Sequence, residues 1–178
     1  MVIEHQHRLW RVVKIQHTQP GKGGAYAQVE LKDIRDGTKL NERFRASETV
    51  ERARLEQNNY QYLYSDSDMY TFMHGETFEQ VALNSELIGE QKVKFLQEGM
   101  QVIIESFDEE PIGVQLPPHA VFEVVEADAV VKGQTAASSY KPAILNNGFR
   151  TMVPPHIETG SRIVISTEDG GYVERAKE

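Results

Sequence analysis

The sequence predicts an all-β protein built from three small β-barrels in tandem, and three observations carry that prediction. Short segments of alternating or β-branched apolar residues recur along the 178-residue chain. Turn-forming residues separate them at a spacing of roughly 8 to 12 residues, the rhythm of small barrels. Pro117-Pro118 interrupts the pattern, because proline lacks the ladder donor and restricts the residue before it.

Trp10 to His17 reads as the first clear strand. Ala25, Ala27, Val29 and Leu31 then alternate with Tyr26, Gln28, Glu30 and Lys32 in the period-two pattern of a half-buried partner. Asp36-Gly37 turns the chain into a short strand over 39–45, and residues 46–59 form a charge-rich connector with weak helical or extended character. A boundary near Arg52 makes 1–52 the first domain. In the second, 53–117, Tyr60, Tyr62 and Tyr64 alternate with Gln61 and Leu63, Ser65 to Asp68 form a turn, and Met69 to Met73 return as a hairpin. Residues 76–83 read as a short helical turn, and 85–88 with 93–96 as another. Residues 101–107 and 112–116 flank Asp108-Glu109-Glu110-Pro111 as a second hairpin. In the third domain, 118–178, strands fall at 121–125, 144–145, 150–153, 162–166 and 172–174. Asn147-Gly148, Thr159-Gly160 and Asp169-Gly170-Gly171 supply turns, and 132–139 form a small-residue loop.

With hydrophobic residues at 39% and charged residues at 26%, the composition is that of a soluble globular protein, and no apolar run approaches the ~20 residues of a membrane span. The N-terminus has no basic start followed by an apolar stretch, and the chain has no cysteine, so a reducing cytoplasm is expected. The net charge of -8 is unevenly distributed. Residues 1–52 hold ten Lys/Arg against seven Asp/Glu, a net +3, which leaves -11 for the remainder. A basic first domain on an acidic body suits an anionic partner for the first part, with Arg35 and Arg45 as candidate phosphate contacts.

Pro20-Gly21-Lys22-Gly23-Gly24, between two strands, is the most informative stretch. Pro20 fixes its own φ, and Gly21, Gly23 and Gly24 leave Lys22 without bulky neighbours, so one amine projects from a hairpin tip. The ordinary alternative is an exposed turn with a solubilising lysine. A phosphate-binding P-loop is excluded because Gly23, not Ser or Thr, follows Lys22. The dinucleotide fingerprint is excluded because Tyr26 stands where a third glycine belongs and a strand follows. His5-Gln6-His7 is read as surface rather than as a metal pair, Glu109-Glu110 as solvated turn carboxylates, and no Ser-His-Asp set can be assembled. Neither an enzyme nor a metal site is expected. A single-stranded nucleic-acid-binding OB protein is the alternative of a different class, and it would need basic grooves within 53–178 that the composition there does not offer.

These residues together resemble the bacterial elongation factor P family. The resemblance runs nearly end to end: Pro20 to Gly23, Tyr62 to Asp66, Phe72-Met73, Glu76 to Gln80, Lys132-Gly133 with Thr135-Ala136, Lys141 to Ala143, Val153-Pro154 and Gly171 to Val173. It implies an L-shaped, tRNA-like monomer, a KOW/SH3-like barrel followed by two OB-fold barrels, that binds the ribosome between the E and P sites. There it would promote peptide-bond formation at stalled polyproline stretches by positioning peptidyl-tRNA, with Lys22 acting by placement rather than as a base. The implied partners are ribosomal RNA, P-site peptidyl-tRNA, E-site mRNA through Gly133, Gln134 and Thr135, and a lysine-modifying enzyme. The family often has an acidic residue where Gln134 stands. No cofactor is implied beyond a covalent modification of Lys22. Lysine at the tip sets the chain apart from the arginine-rhamnosylated branch, and Pro20 resembles the branch that carries β-lysine. The family also has about ten residues ahead of the position of Met1, including a strand, so the first barrel is expected to be short of an edge.

Overall fold

The computed structural model describes residues 1–129 and 139–177. The all-β expectation holds: these residues form fifteen strands in three five-stranded sheets and two one-turn helices. The chain makes two compact units, one of residues 1–57 with 104–113, the other of 58–103 with 114–178.

The first sheet has the order β4-β3-β2-β1-β5. Its strands are β1 (Val2–His5), β2 (Arg8–Thr18), β3 (Tyr26–Asp33), β4 (Lys39–Arg45) and β5 (Glu51–Arg52). β1 pairs with both β2 and β5, so the edges of this sheet are β4 and β5. Part of the expected 46–59 connector is thus strand, recruited by a backbone partner far away in sequence. On β3 the sequence alternation translates directly into burial. Val29, Leu31 and Asp33 are buried while Gln28 and Lys32 face solvent. Ile3, Trp10, Val29 and Leu31 form one core cluster, and Val2, Ala53 and Ile112 another.

Buried Asp33 is accommodated by its partners. It accepts the backbone N–H groups of Arg35 at 2.7 Å and Asp36 at 3.2 Å, and the Arg8 Nε lies 3.0 Å from its carboxylate. This network, with Gly37 at φ 73°, fixes the turn between β3 and β4.

The second sheet has the order β10-β9-β6-β7-β8, made of β6 (Glu56–Asp66), β7 (Met69–His74), β8 (Gln80–Asn84), β9 (Gln101–Phe107) and β10 (Glu110–Gln115). Both expected hairpins are present, turned at Ser67 and at Asp108-Glu109, all three in the left-handed region. The helical reading of 76–83 is corrected. Phe78, at φ 61°, is incompatible with a right-handed helix, and Gln80 to Asn84 pair with Met73 to Met69 as β8. The helical turn expected at 85–88 is present as α1 (Ser85–Ile88), whereas the one expected at 93–96 falls earlier, as α2 (Glu90–Val93), the two separated by Gly89 at φ 110°. The Asn84 side chain caps α1 by accepting the Leu87 N–H at 2.9 Å.

The third sheet has the order β13-β12-β11-β14-β15, made of β11 (His119–Ala127), β12 (Lys141–Leu145), β13 (Arg150–Val153), β14 (Arg162–Ser166) and β15 (Tyr172–Arg175). Its core includes Phe122, Val124, Leu145, Ile163 and Ile165, and Phe95, from just beyond α2, packs into the same cluster.

Candidate functional site

The β2–β3 hairpin is the longest paired ladder in the first sheet, running from Trp10↔Asp33 to Thr18↔Tyr26 with a bulge between Val12 and Lys14. The chain then leaves the ladder for residues 19–25, and Lys22 stands exposed in that loop. Of the three glycines there, only Gly23 needs to be one for backbone reasons, since its φ is 126°. A Cβ at Gly21 or Gly24 would meet no atom within 4 Å, while one at Gly23 would lie 3.8 Å from the Pro20 Cγ. The tip is thin because its residues are small and because nothing packs against two of its three glycines.

Below the tip, Tyr26 opens β3 with the Arg43 guanidinium 3.6 Å from its ring centroid. In the β3–β4 register Arg43 faces Gln28, so the stack is a diagonal contact across the ladder. On β4 the residues Lys39, Asn41, Arg43 and Arg45 are exposed while Leu40, Glu42 and Phe44 are partly covered, giving the edge strand a basic outer row. Sequence alternation marks that row; it does not single out Arg43, whose partner is fixed only by the register. Arg45 is exposed at the end of the row, and its backbone N–H donates to Glu48 at 2.9 Å. Arg35 is elsewhere, after β3, with its guanidinium 3.9 Å from the Glu110 carboxylate. The structure therefore places Arg45 near the hairpin base and does not bring Arg35 to it.

A groove of about 680 Å³ on this sheet is lined by Ile3, Val12, Ala27, Val29 and Phe44 and reaches Tyr26 and Arg45 at the hairpin base. His5 ends β1, with its Nε2 3.5 Å from the Glu42 carboxylate and its ring edge-on to Phe44, while Gln6 and His7 make the tight turn into β2. The second-sheet aromatics divide: Tyr62 and Phe72 are buried, Tyr60 and Tyr70 are half-buried, and Tyr64 is exposed beyond the β6 bulge. Gly133, Gln134 and Thr135 lie outside the described residues.

Residues 1–50 match the family profile described as the elongation factor P KOW-like domain, 55–114 the elongation factor P OB domain, and 121–175 the elongation factor P C-terminal domain. An elongation factor P of Zymomonas mobilis subsp. mobilis is 59% identical over 175 residues, covering 98% of this chain and 93% of its own. The chain belongs to the elongation factor P family. A second elongation factor P, from Parvibaculum lavamentivorans, is 57% identical over the same shares of the two chains. Among solved structures, eukaryotic translation initiation factor 5A from Methanococcus jannaschii aligns at 25% identity and a TM-score of 0.48, covering 65% of this chain and 83% of that one.

Proposed function

We propose that this protein is a translation elongation factor that binds the ribosome between the E and P sites and promotes peptide-bond formation at stalled polyproline stretches. Membership of the elongation factor P family over 98% of the chain supports this reading most strongly. In it, the protein is organised as domains 1–52, 53–117 and 118–178, works in the cytoplasm, and holds no catalytic group of its own. Lys22 is the functional residue. A β-lysyl-type addition by a modifying enzyme would lengthen its side chain, and the thin tip would let it reach along the acceptor arm of peptidyl-tRNA. Proline is a poor nucleophile in a restricted geometry, so holding the reacting partners in place lowers the entropic part of the barrier. The exposed row Lys39, Arg43 and Arg45 supplies positive charge for tRNA or ribosomal RNA phosphates. Contact with E-site mRNA is given to residues Gly133, Gln134 and Thr135.

Two measurements test the proposal. Translation of a reporter with a polyproline run is compared with one lacking it, in extract depleted of the endogenous factor and supplied with wild type or Lys22→Ala. Intact-mass analysis of the protein from its native cell reads the adduct. Wild type should rescue only the polyproline reporter and Lys22→Ala should not. Equal rescue by both proteins would overturn the role given to Lys22.

A further inference from the structure

The β7–β8 hairpin presents Phe78 at its tip, 67% exposed, the most exposed large apolar side chain among the described residues. Its backbone is left-handed, at φ 61°, where a glycine would sit without strain and expose no ring. The loop nonetheless holds it there firmly. His74 Nδ1 accepts the N–H groups of Glu76 at 3.0 Å and Thr77 at 3.1 Å, and the Phe78 N–H donates to the His74 carbonyl at 3.1 Å. The His74 N–H donates to Glu79 at 2.8 Å, and Gly75 is tied to Asn59 at 2.9 Å. Exposed Glu76 and Glu79 stand on either side of Phe78 in the sequence of the same loop, and neither forms an ion pair among the described residues. Burial, and then the charge of Glu79, raise the pKa of Tyr60, which lies edge-on to His74 at 4.9 Å.

We propose that this tip docks an arginine-bearing segment of a basic protein, the guanidinium stacking on Phe78 and pairing with Glu76 and Glu79. The charge and the ring select the partner together. A guanidinium is planar, weakly hydrated and able to satisfy both a ring face and carboxylates, whereas an ammonium is a compact, strongly hydrated charge. A nucleic-acid strand could stack a base on the ring, yet its phosphates would meet two carboxylates. The site is independent of Lys22 and of the role proposed for it.

The test uses the ¹⁵N-labelled full chain, titrated with a blocked glycine-serine peptide carrying arginines, its lysine counterpart and a uridine oligonucleotide. The arginine peptide should shift the amide resonances of residues 74–80 and Tyr60 first, and bind more tightly than the lysine peptide. Phe78→Gly suits the left-handed backbone, so it should keep the fold while weakening arginine-peptide binding about two- to fivefold, the scale of one exposed cation–π contact. Glu76→Gln with Glu79→Gln should weaken it similarly, and Glu158→Gln, a distant exposed carboxylate, should not. Shifts spread evenly over the acidic surface, unchanged binding by both tip variants, or preferential binding of the uridine oligonucleotide at this loop would each overturn the proposal.

Discussion

Replacing Gly23 with alanine should disable the hairpin tip without unfolding the protein. The added Cβ would sit 3.8 Å from the Pro20 Cγ, an ordinary contact, so sterics between side chains contribute nothing. The cost is all backbone: a φ of 126° is open to glycine and strained for any other residue, at roughly 1–3 kcal/mol. A penalty of that size lowers the population of the native tip by about 5- to 150-fold if the loop has other conformations to adopt. It has, because the last ladder pair is Thr18↔Tyr26 and, beyond it, Ala25 is still tied to Ala46 at 2.9 Å while residues 19–24 lie outside the ladder. The loop escapes the strain by rearranging, so the thermal midpoint should fall by no more than about 2 °C. Rescue of a polyproline reporter, measured at limiting factor, should drop with the population of the native tip. Gly21→Ala and Gly24→Ala are the controls, since neither glycine is in the left-handed region and neither position has an atom within 4 Å. Wild-type rescue by Gly23→Ala, or an equal loss from Gly21→Ala, would refute the reasoning.

Lys22→Ala should leave stability within about ±0.5 kcal/mol, as at other exposed sites, while abolishing polyproline rescue; thermal melts and the paired reporters check both. Gly170→Ala, at φ 75°, would place its Cβ against the Phe149 ring, which packs 4.9 Å from Phe95 in the third-sheet core. Overpacking and backbone strain together should cost about 2–4 kcal/mol in denaturant melts, and adding Phe149→Leu should recover part of it. Hydrogen bonds from Thr38, and then Arg8, lower the Asp36 pKa to about 2 from 3.8. A lowered carboxylate pKa contributes stability above the unfolded value that is lost as pH falls through the folded one. The β3–β4 turn should therefore loosen between about pH 4 and pH 2, and Asp36→Asn should flatten that dependence in hydrogen-exchange or melting measurements. Finally, Arg45→Glu should reduce the slope of log ribosome affinity against log salt by about one contact's worth, and Lys94→Glu should change it less.

Much of the fold was legible because its signals are local. Alternation from Ala25 to Leu31 and from Tyr60 to Tyr64, and turns at Asp36-Gly37 and Asn147-Gly148, depend on side-chain period and backbone freedom, both written in short windows of sequence. The Lys22 loop was legible for the same reason, since Pro20 fixes its own φ and three glycines leave the tip thin whatever lies around it. Where the reading failed, a distant partner decided. Gln80 to Asn84 carry too short an alternation to declare a strand until β7 offers its ladder, and Glu51-Arg52 become β5 only beside β1. Long-range packing also decided that Phe95 joins the third-sheet core, that Asp33 is buried against Arg8, and that Arg43 stacks on Tyr26. The same holds for Phe78: the sequence shows a phenylalanine between two glutamates, and only the hydrogen bonds to His74 turn it outward on a left-handed backbone. Sequence specified what each segment favours by itself; the tertiary structure chose among those preferences by which backbone groups and apolar faces found partners.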